Sequence, residues 1–348
     1  MGWIPRNSRS GLRQYVLNVG DRPLEAEVTN VTGPFVLVDP LDGLIAPHQL
    51  QESFRVVLTA TEPGPVRGTI TLKTKQNPPA EFTFPVLAEV IDSEAFSPIG
   101  VFRNGTWMID YNRDTLIDES IEFGTFGDHP LTGDWNGDGV CDIAVWRKDG
   151  DGKIVIQFRL RGEPPLSPLL TTEIRLESDQ WIPVAADLNG NGTSEIGYVS
   201  SQVPGEGMVW TFDTQHNETF SHRFVFGAPG SDPVIGDWNG DGVDEVSVSF
   251  HGDSAPSGTR LWQIQQTDNA KPMERVYLSN LDVPLAGDWD GDGDDDLGGW
   301  RPEPNQKPCF WQFETSGDIV SECDLEGLGV ETDIPFVLRQ NAKRATGQ

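Results

Sequence analysis

Residues 133–147 read Gly-Asp-Trp-Asn-Gly-Asp-Gly-Val-Cys-Asp-Ile-Ala-Val-Trp-Arg. The first half of this stretch carries oxygen-bearing side chains at alternate positions, namely Asp134, Asn136, Asp138 and then Asp142. Glycines at two of the intervening positions allow the chain to curl until these oxygens converge. The second half is β-branched and aromatic, which predicts a strand. The stretch therefore predicts an acidic loop that leads directly into a strand.

The same unit occurs three more times at a nearly fixed interval. A proline precedes each copy, and a fifth proline follows at the same spacing, giving Pro130, Pro183, Pro233, Pro284 and Pro335. The acidic loops after the first four prolines are Asp134–Asp142, Asp187–Glu195, Asp237–Glu245 and Asp288–Asp296. The fifth proline leads instead to Arg339 and Gln340, so no loop is expected there. Such a period indicates a repeat architecture.

Each repeat contains the strands that one blade of a β-propeller requires. A strand follows each loop, and an aromatic-bearing strand comes next, marked by Trp107, Phe158, Trp210, Trp262 and Trp311. A further strand precedes the next proline. Four strands in about 50 residues are typical of a propeller blade.

The two ends of the repeat region complement each other. Residues 98–103 match the strand that follows a loop, and residues 333–338 match the strand that precedes one. Placed side by side, they complete one four-stranded blade, a device that protects the edge of a ring. We therefore expect an all-β chain whose repeat region is a five-bladed propeller closed by strands from both ends. An open solenoid or a partial ring is the alternative.

The loops resemble a known family of repeats. Asp134-Trp-Asn-Gly-Asp-Gly-Val-Cys-Asp142 and Asp288-Trp-Asp-Gly-Asp-Gly-Asp-Asp-Asp296 look like FG-GAP/VCBS repeats. Those repeats build extracellular β-propellers that bind calcium in their loops, as in integrin heads and many bacterial surface proteins. The resemblance covers residues 98–340 and implies the same fold and cofactor for this chain.

The resemblance implies a set of calcium ligands in each loop. They would be Asp134, Asn136, Asp138, Val140 and Asp142 in the first loop; Asp187, Asn189, Asn191, Thr193 and Glu195 in the second; Asp237, Asn239, Asp241, Val243 and Glu245 in the third; and Asp288, Asp290, Asp292, Asp294 and Asp296 in the fourth. Val140 and Val243 would contribute carbonyl oxygens. The alternative is that these segments are solvated Asp/Asn-Gly turns.

Three to four calcium ions are expected. Ca²⁺ prefers about six to eight oxygen ligands, whereas Mg²⁺ resists the dehydration that such a loop demands. Apart from Cys141, the loops contain no histidine or cysteine, which disfavours zinc and copper. The second loop has only two carboxylates, Asp187 and Glu195, and should bind most weakly.

The segment before the repeats predicts a second all-β domain. Its strand-like runs are Gln14–Val19, Leu24–Asn30, Pro34–Val38, Ser53–Thr59, Gly68–Thr74 and Glu81–Val90. Six or seven strands in about 90 residues are typical of a β-sandwich. The phrases at 17–24, 63–72 and 84–90 resemble immunoglobulin-like domains of the ASH type, which are common in bacterial surface and matrix proteins.

The expected organisation is a flexible arm (1–12), an Ig-like sandwich (13–95), the propeller (96–340) and a tail (341–348). ASH-type domains usually begin with a strand, and only the polar arm is available for it. Without that strand, the sandwich would have an unpaired edge to which another chain can add a strand.

Composition narrows the range of partners. The 348 residues include 54 acidic and 25 basic side chains, for a formal charge of −29. Such a charge argues against nucleic acid or an anionic membrane as a partner. No long apolar run predicts membrane insertion. An extracellular or cell-surface location is expected, with a leader that was removed or a longer precursor.

The cysteines leave one question open. Cys309 and Cys323 flank a predicted hairpin, and either a disulfide between them or two reduced thiols fits the sequence. Cys141 lies inside the first loop and is expected to be a buried spectator.

No catalytic motif accompanies the repeats, since none of the five histidines lies in a nucleophile or metal-ligand motif. The tryptophans recur at fixed repeat positions, which favours packing between blades over sugar binding. We therefore expect a non-enzymatic, calcium-binding structural or adhesion protein at the cell surface or in a self-assembling filament or matrix. Its partners would be other chains, including copies of itself that bind through the arm or the sandwich edge. The alternatives are a carbohydrate-binding, lectin-like propeller that takes a glycan and a polysaccharide lyase or glycosidase.

Overall fold

The protein is all-β. The computed structural model describes residues 3–5, 9–17, 21–39, 44–47, 50–59, 62, 64–76, 78–91, 96–161, 174–176, 181–200, 207–214, 220–251, 258–266, 271–304, 309–314 and 323–339. These residues form 28 strands and no helix, and therefore no helix that could span a membrane. The predicted tail lies outside the described residues. The strands belong to several small sheets that are antiparallel except for one pair.

The N-terminal segment forms two sheets around one core. Its strands are β1 (Trp3–Pro5), β2 (Arg9–Leu17), β3 (Leu24–Val31), β4 (Phe35–Asp39), β5 (Leu44–Ile45), β6 (Leu50–Thr59), β7 (Gly64–Thr74) and β8 (Glu81–Ile91). One sheet has the order β1-β8-β7-β3-β5, and the other contains β2, β6 and β4. Both contribute to a buried cluster of Ala26, Phe35, Ile45, Val56, Leu58, Ile70, Val86 and Val90. The six predicted strands are present, with shifted ends.

The described residues of the segment expected to be a flexible arm, 3–5 and 9–12, are paired in the structure. β1 runs parallel to the end of β8, from Glu89 to Ile91, and β2 pairs with β6 along its whole length. Its arginines suggested a loop, but a ladder of backbone hydrogen bonds does not require apolar side chains. The edge expected to lack a strand is therefore partly covered by the chain's own N-terminal residues.

The repeat region forms five units of four strands each, as predicted. The units are β12 (His129–Gly133), β13 (Asp142–Lys148), β14 (Ile154–Arg159) and β15 (Ile174–Leu176); β16 (Ile182–Ala186), β17 (Glu195–Ser200), β18 (Val209–Phe212) and β19 (His222–Val225); β20 (Asp232–Gly236), β21 (Glu245–Phe250), β22 (Thr259–Ile264) and β23 (Met273–Ser279); β24 (Val283–Gly287), β25 (Asp296–Arg301), β26 (Phe310–Phe313) and β27 (Cys323–Glu326); and β28 (Ile334–Val337), β9 (Ile99–Arg103), β10 (Thr106–Asp110) and β11 (Glu119–Glu122). Each strand after a loop begins at the last acidic residue of that loop.

The recurring aromatic residues are part of the core, as expected. Trp107, Trp210, Trp262 and Trp311 are completely buried, and Phe158 is nearly so. Their strands lie third in each unit, where they pack against the neighbouring unit. The prediction that tryptophan recurrence reflects packing is confirmed for these residues.

The strands that carry the repeat prolines surround a common cavity. These proline strands, β12, β16, β20, β24 and β28, contact one another in that order, and β28 also contacts β12. The cavity measures about 260 Å³ and is lined by residues of all five strands and by Arg339.

The two ends of the repeat region share one sheet, which we call the end sheet (β28, β9, β10 and β11). β28 pairs with β9 in a register that places Phe336 opposite Gly100. The Arg103 guanidinium donates two hydrogen bonds to Asp333, at 2.6 and 2.7 Å, across the same pair of strands. The pairing expected from the cut ends of the repeat is therefore confirmed.

The fourth unit continues into the N-terminal domain. Gly11 of β2 pairs with Asp324 of β27, so that β24–β27 and the strands β2, β6 and β4 form one seven-stranded sheet. The sequence did not predict this connection, because it joins segments that are more than 300 residues apart and involves no motif.

The predicted hairpin does not bring its cysteines together. Cys323 lies opposite Phe313, while the backbone carbonyl of Cys309 accepts a hydrogen bond from Gly327. This register separates the two cysteines by about four residues along the strands, or roughly 13 Å, which is too far for a disulfide. Cys309 is a buried free thiol, as is Cys141, so of the two alternatives the structure excludes the bridge.

The close approach of Gly100 to Phe336 allows a test of the end sheet. A Cβ atom at position 100 would lie 2.2 Å from the ring of Phe336, which is itself buried against Trp107. We expect Gly100→Ala to lower the free energy of unfolding by about 2 kcal/mol, because the ring cannot move without displacing the core. Denaturant titration measures this change. Gly150→Ala is the matched control, since nothing lies within 4 Å of a Cβ there. Equal stability of the two variants would contradict the observed pairing.

Candidate functional site

The first acidic loop is folded around its own carboxylates. Counting from Asp134, its residues are positions 1 to 9. The amides of Gly137 and Gly139 donate hydrogen bonds of 2.7 and 2.8 Å to the carboxylate of Asp134. The carboxylate at position 9, Asp142, accepts the amide of Trp135 at 3.1 Å. These bonds close the loop, and the positive φ angles of both glycines (74° and 82°) permit the tight path.

The other three loops repeat this pattern of hydrogen bonds. In each, the amide of position 6 donates to the carboxylate of position 1, and the amide of position 2 donates to the acid of position 9. The oxygen of position 3 accepts the amide of position 5, and that of position 5 accepts the amide of position 7. Such agreement in four registered copies shows that the alternating pattern specifies one local structure.

Neighbouring loops are joined by reciprocal hydrogen bonds. The amide of Asp187 donates to the carboxylate of Asp244 at 2.7 Å, and the amide of Asp244 donates to the carbonyl of Asp187 at 2.8 Å. The same exchange joins position 1 of the other loops to Ser194, Asp295 and Ser97. The last of these residues precedes β9, so the fourth loop is tied to the end sheet.

The fourth loop brings its acidic groups closest together. Carboxylate oxygens of Asp288, Asp290 and Asp296 lie within 4.8 Å of one another, and all three side chains are buried. Among the described residues this is the one group of acidic, histidine or cysteine side chains that meets this distance. An all-oxygen donor set of this kind suits a hard cation such as Ca²⁺. This buried group could hold a metal ion.

The first three loops differ from the fourth at position 3, where each has asparagine. The Asn136 amide nitrogen donates to Asp138 at 3.0 Å, and Asn239 donates in the same way to Glu245 at 2.6 Å. Asn189 likewise contacts Glu195. In each of these three loops the asparagine amide group therefore contacts an acid of its own loop. The structure places all the predicted side-chain ligands in their loops, but only in the fourth does it bring three acidic groups together.

Burial and mutual repulsion raise the pKa values of these acids. Burial, reinforced by the neighbouring Asp290, raises the pKa of Asp296 to about 10. Burial also raises the pKa of Glu195 and Glu245 to about 7 and that of Asp142 to about 6, with nearby acids adding to each shift. Carboxyl groups held together in this way favour either a proton or a cation.

A fifth segment has the same geometry and was not recognised in the sequence. Residues 110–118 read Asp-Tyr-Asn-Arg-Asp-Thr-Leu-Ile-Asp, and their hydrogen bonds repeat those of the loops at positions 2, 5, 6 and 7. Arg113 and Thr115 take the positive φ angles (56° and 69°) that glycines adopt elsewhere. The sequence did not predict this loop, because the segment lacks the two glycines and follows β10, whereas the other loops follow proline strands. The alternation of Asp110, Asn112, Asp114 and Asp118 was the available signal.

Arg113 connects this segment to the fourth loop. Its guanidinium is buried and donates to the carbonyl oxygens of Trp289, Ser97 and Asp288 at 3.0, 3.1 and 3.2 Å. It also lies over the rings of Phe96 and Trp289, 4.8 and 5.1 Å from their centroids. A protein cation is therefore placed next to the loop with the highest charge.

Comparison with known proteins does not assign the chain to a family: no protein-family model matches it, and no curated protein matches it. The resemblance of the loops to FG-GAP/VCBS repeats accordingly depends on their own residues.

The raised pKa values predict an unusual pH dependence for the metal-free protein. In an unfolded chain these acids titrate near pH 4, so between that pH and their folded pKa values the native state binds more protons. The metal-free protein should therefore lose stability as the pH rises from about 4 through 6 and 7. Thermal unfolding at pH 5 and at pH 8 measures the effect. A higher melting temperature at pH 8 without metal would contradict this, while added Ca²⁺ should restore stability at pH 8, because it binds the ionised form.

Proposed function

We propose that this chain is an extracellular, calcium-binding scaffold protein, in which Ca²⁺ fastens the loops of a β-propeller. The single observation that carries the proposal is the convergence of Asp288, Asp290 and Asp296 in a loop whose hydrogen bonds recur in three others. A solvated surface turn would not need to bury three carboxylates together. Four such loops at a regular interval are most simply explained by a repeated requirement for a cation.

A five-bladed propeller is the architecture that best fits the five units. The proline strands contact one another in cyclic order and line one cavity. The pairing of β28 with β9 supplies the fifth unit from both chain ends. Packing of each aromatic strand against the next unit is the arrangement expected of blades. The FG-GAP/VCBS assignment rests on these features together with the loop pattern.

Calcium has a mechanical role in this proposal. Each loop lies between a proline strand and the strand that begins at the position-9 acid, so the ion would fix the turn between them. Because position 1 of one loop is bonded to position 8 of the next, order in one loop extends to its neighbour. Binding to the folded state alone adds stability by mass action. No catalytic step is part of the proposal.

The N-terminal domain fits an Ig-like sandwich of the ASH type, but its edge is a poor site for strand addition. On the edge opposite β7, β8 has no strand partner beside residues 81–88 among the described residues. Within that stretch Pro85 lies opposite Thr69 of β7, whose backbone groups bond to Thr32 on the other side of β7. The backbone nitrogen of Pro85 therefore points to the open edge of β8. A proline there removes a donor that an added strand would need.

The outer strands of the propeller units are the more favourable contact surface. β27 is already extended by β2, which shows that an outer strand of this kind accepts another. β11, β15, β19 and β23 have no further strand beside them in the described part of the chain. We propose that other chains, including copies of this one, add to these edges in a surface layer, filament or matrix.

A lectin function receives less support from the tryptophans. Trp107, Trp210, Trp262, Trp289 and Trp311 are buried in the core, and Trp135 and Trp238 pack against core clusters. Side chains in these positions do not present a free ring face to a sugar.

Asp290 provides a direct test of the metal proposal. We expect metal-free protein to bind three to four Ca²⁺ ions in calorimetry, and Asp290→Asn to weaken one of these sites by about tenfold or more, since a carboxylate ligand is lost. In the wild-type protein the backbone amide of Asp292 donates a hydrogen bond of 3.2 Å to Oδ1 of Asp290. The variant should fold, because the side-chain oxygen of asparagine can accept the same bond. Asp151→Asn, in an exposed hairpin turn, is the control. The metal proposal fails if the wild-type protein takes up no Ca²⁺.

Assembly through the outer strands predicts larger particles in the presence of calcium. Electron microscopy of concentrated protein should show filaments or sheets with Ca²⁺ and few without it. Val276→Lys places a charge on the exposed outer strand β23, where edge lysines oppose strand addition, and should reduce their number. Leu281→Lys, in the exposed turn after β23, is the matched control. A monomer under all conditions would contradict assembly while leaving the calcium proposal intact.

A further inference from the structure

The residue that replaces the first aspartate in the fifth repeat is an arginine. In each of the first four repeats, the fourth residue after the proline is an aspartate at position 1 of a loop, whereas Arg339 follows Pro335 at the same distance. The sequence thus reverses the charge at the one repeat where the chain has no acidic loop. The structure shows what this cation contacts.

Arg339 binds two carboxylates from different units. Its guanidinium donates to both oxygens of Asp244, at 2.6 and 2.9 Å, and to Asp295 at 2.9 Å. Asp244 precedes β21 and Asp295 precedes β25, while Arg339 follows β28, so one side chain connects three of the five units. The side chains of all three are largely buried. Two-point binding of this kind is strong and directional.

Both carboxylates are held in place independently of Arg339. Asp244 accepts the amide of Asp187, and Asp295 accepts the amide of Asp237 at 3.0 Å. Their positions are therefore set by the links between loops, and both acids contact the same Nη1 atom of Arg339. Two buried carboxylates this close are unfavourable when both are ionised, unless a positive charge lies between them. A metal ion or an arginine could supply it, and here the chain supplies the arginine.

We propose that Arg339 is a built-in cation that takes the place of a fifth ion and keeps the end sheet closed when divalent metal is absent. Arg113 supports the same contact between the end sheet and its neighbours, which we call the seam, from the other side. It binds the carbonyl oxygens of Ser97, Asp288 and Trp289. Arg339 follows β28 and Arg113 lies between β10 and β11, so both arginines belong to the unit that forms the end sheet. In this proposal two side-chain cations, and no metal ion, hold the end sheet to the neighbouring third and fourth loops.

Hydrogen exchange with and without Ca²⁺ tests this inference. The expected difference between the strands after the loops and the strands β9 and β28 rests on the proposed metal sites. In the wild-type protein, removal of Ca²⁺ should speed exchange in β13, β17, β21 and β25 by about tenfold or more, while β9 and β28 change by less than about twofold. In Arg339→Gln, metal removal should speed exchange in β9 and β28 by about tenfold or more, because two buried carboxylates lose their partner. Added Ca²⁺ should reduce this effect and bind in one additional site.

The controls separate the seam from general destabilisation. Arg147→Gln breaks an ion pair with Asp128 within the unit β12–β15 and should leave β9 and β28 protected. Arg339→Lys keeps the charge and should retain most of the protection even if the glutamine variant does not fold. The inference is overturned if β9 and β28 open together with the other strands when the wild-type protein loses metal, or if Arg339→Gln resembles Arg147→Gln. If the wild-type protein binds no Ca²⁺, the proposed function fails, but faster exchange at β9 and β28 in Arg339→Gln still reports on the arginine.

Discussion

The first aspartate of each loop is the point on which the repeat region depends. Its carboxylate gathers the amides of its own loop, and its backbone exchanges hydrogen bonds with position 8 of the next loop, as between Asp187 and Asp244. One residue therefore sets the turn that starts a strand and also the spacing between two units. A four-stranded unit has little core of its own, so its stability comes from neighbours held at the correct distance. These bonds fix that distance at the loop end of each unit, and the packing of the aromatic strands fixes it along the rest of the sheet.

This arrangement concentrates negative charge that must be compensated. Burial raises the pKa of Asp296, Glu195 and Glu245 well above the ordinary range, so the folded protein holds these groups in an ionised state only at a cost. At Asp244 and Asp295 the compensation is visible, since Arg339 lies between them. Burial alone would lower the pKa of Arg339, but its two carboxylate partners raise it well above the usual value. The four loops contain oxygen donors and no lysine or arginine of their own, and Arg339 and Arg113 reach the third and fourth loops from other segments. A set of oxygen donors of this kind suits a hard metal ion.

The parts of this structure that were predictable from the sequence are those that recur. Period, proline strands, loops and buried tryptophans appear four or five times, and recurrence reveals their role even where each copy is ambiguous. The pairing of the two ends of the repeat region was also predictable, because residues 98–103 and 333–338 match two adjacent strands of one repeat. Features that occur once were not. The union of β2 with β27 depends on backbone pairing between distant segments, and the segment at Asp110 lacks the glycines that identify its relatives. The same applies to Cys309 and Cys323, whose separation depends on a register that the hairpin sequence does not encode.

The end sheet shows why the fifth repeat departs from the others. An acidic loop connects a proline strand to the next strand through a continuous chain, but in the end sheet those two strands, β28 and β9, come from opposite ends of the repeat region. A metal ion could not be held there by one loop, because no covalent turn brings position 1 and position 9 together. An arginine needs no such turn: it carries its charge on a flexible stem and binds carboxylates that other loops already hold in place. The replacement of aspartate by Arg339 is thus the substitution expected where two strands of one sheet pair without a connecting loop. Arg103 and Asp333 reinforce the same junction on its other side, so that side-chain ion pairs add to the strand pairing of β28 and β9, where the other units have a covalent loop.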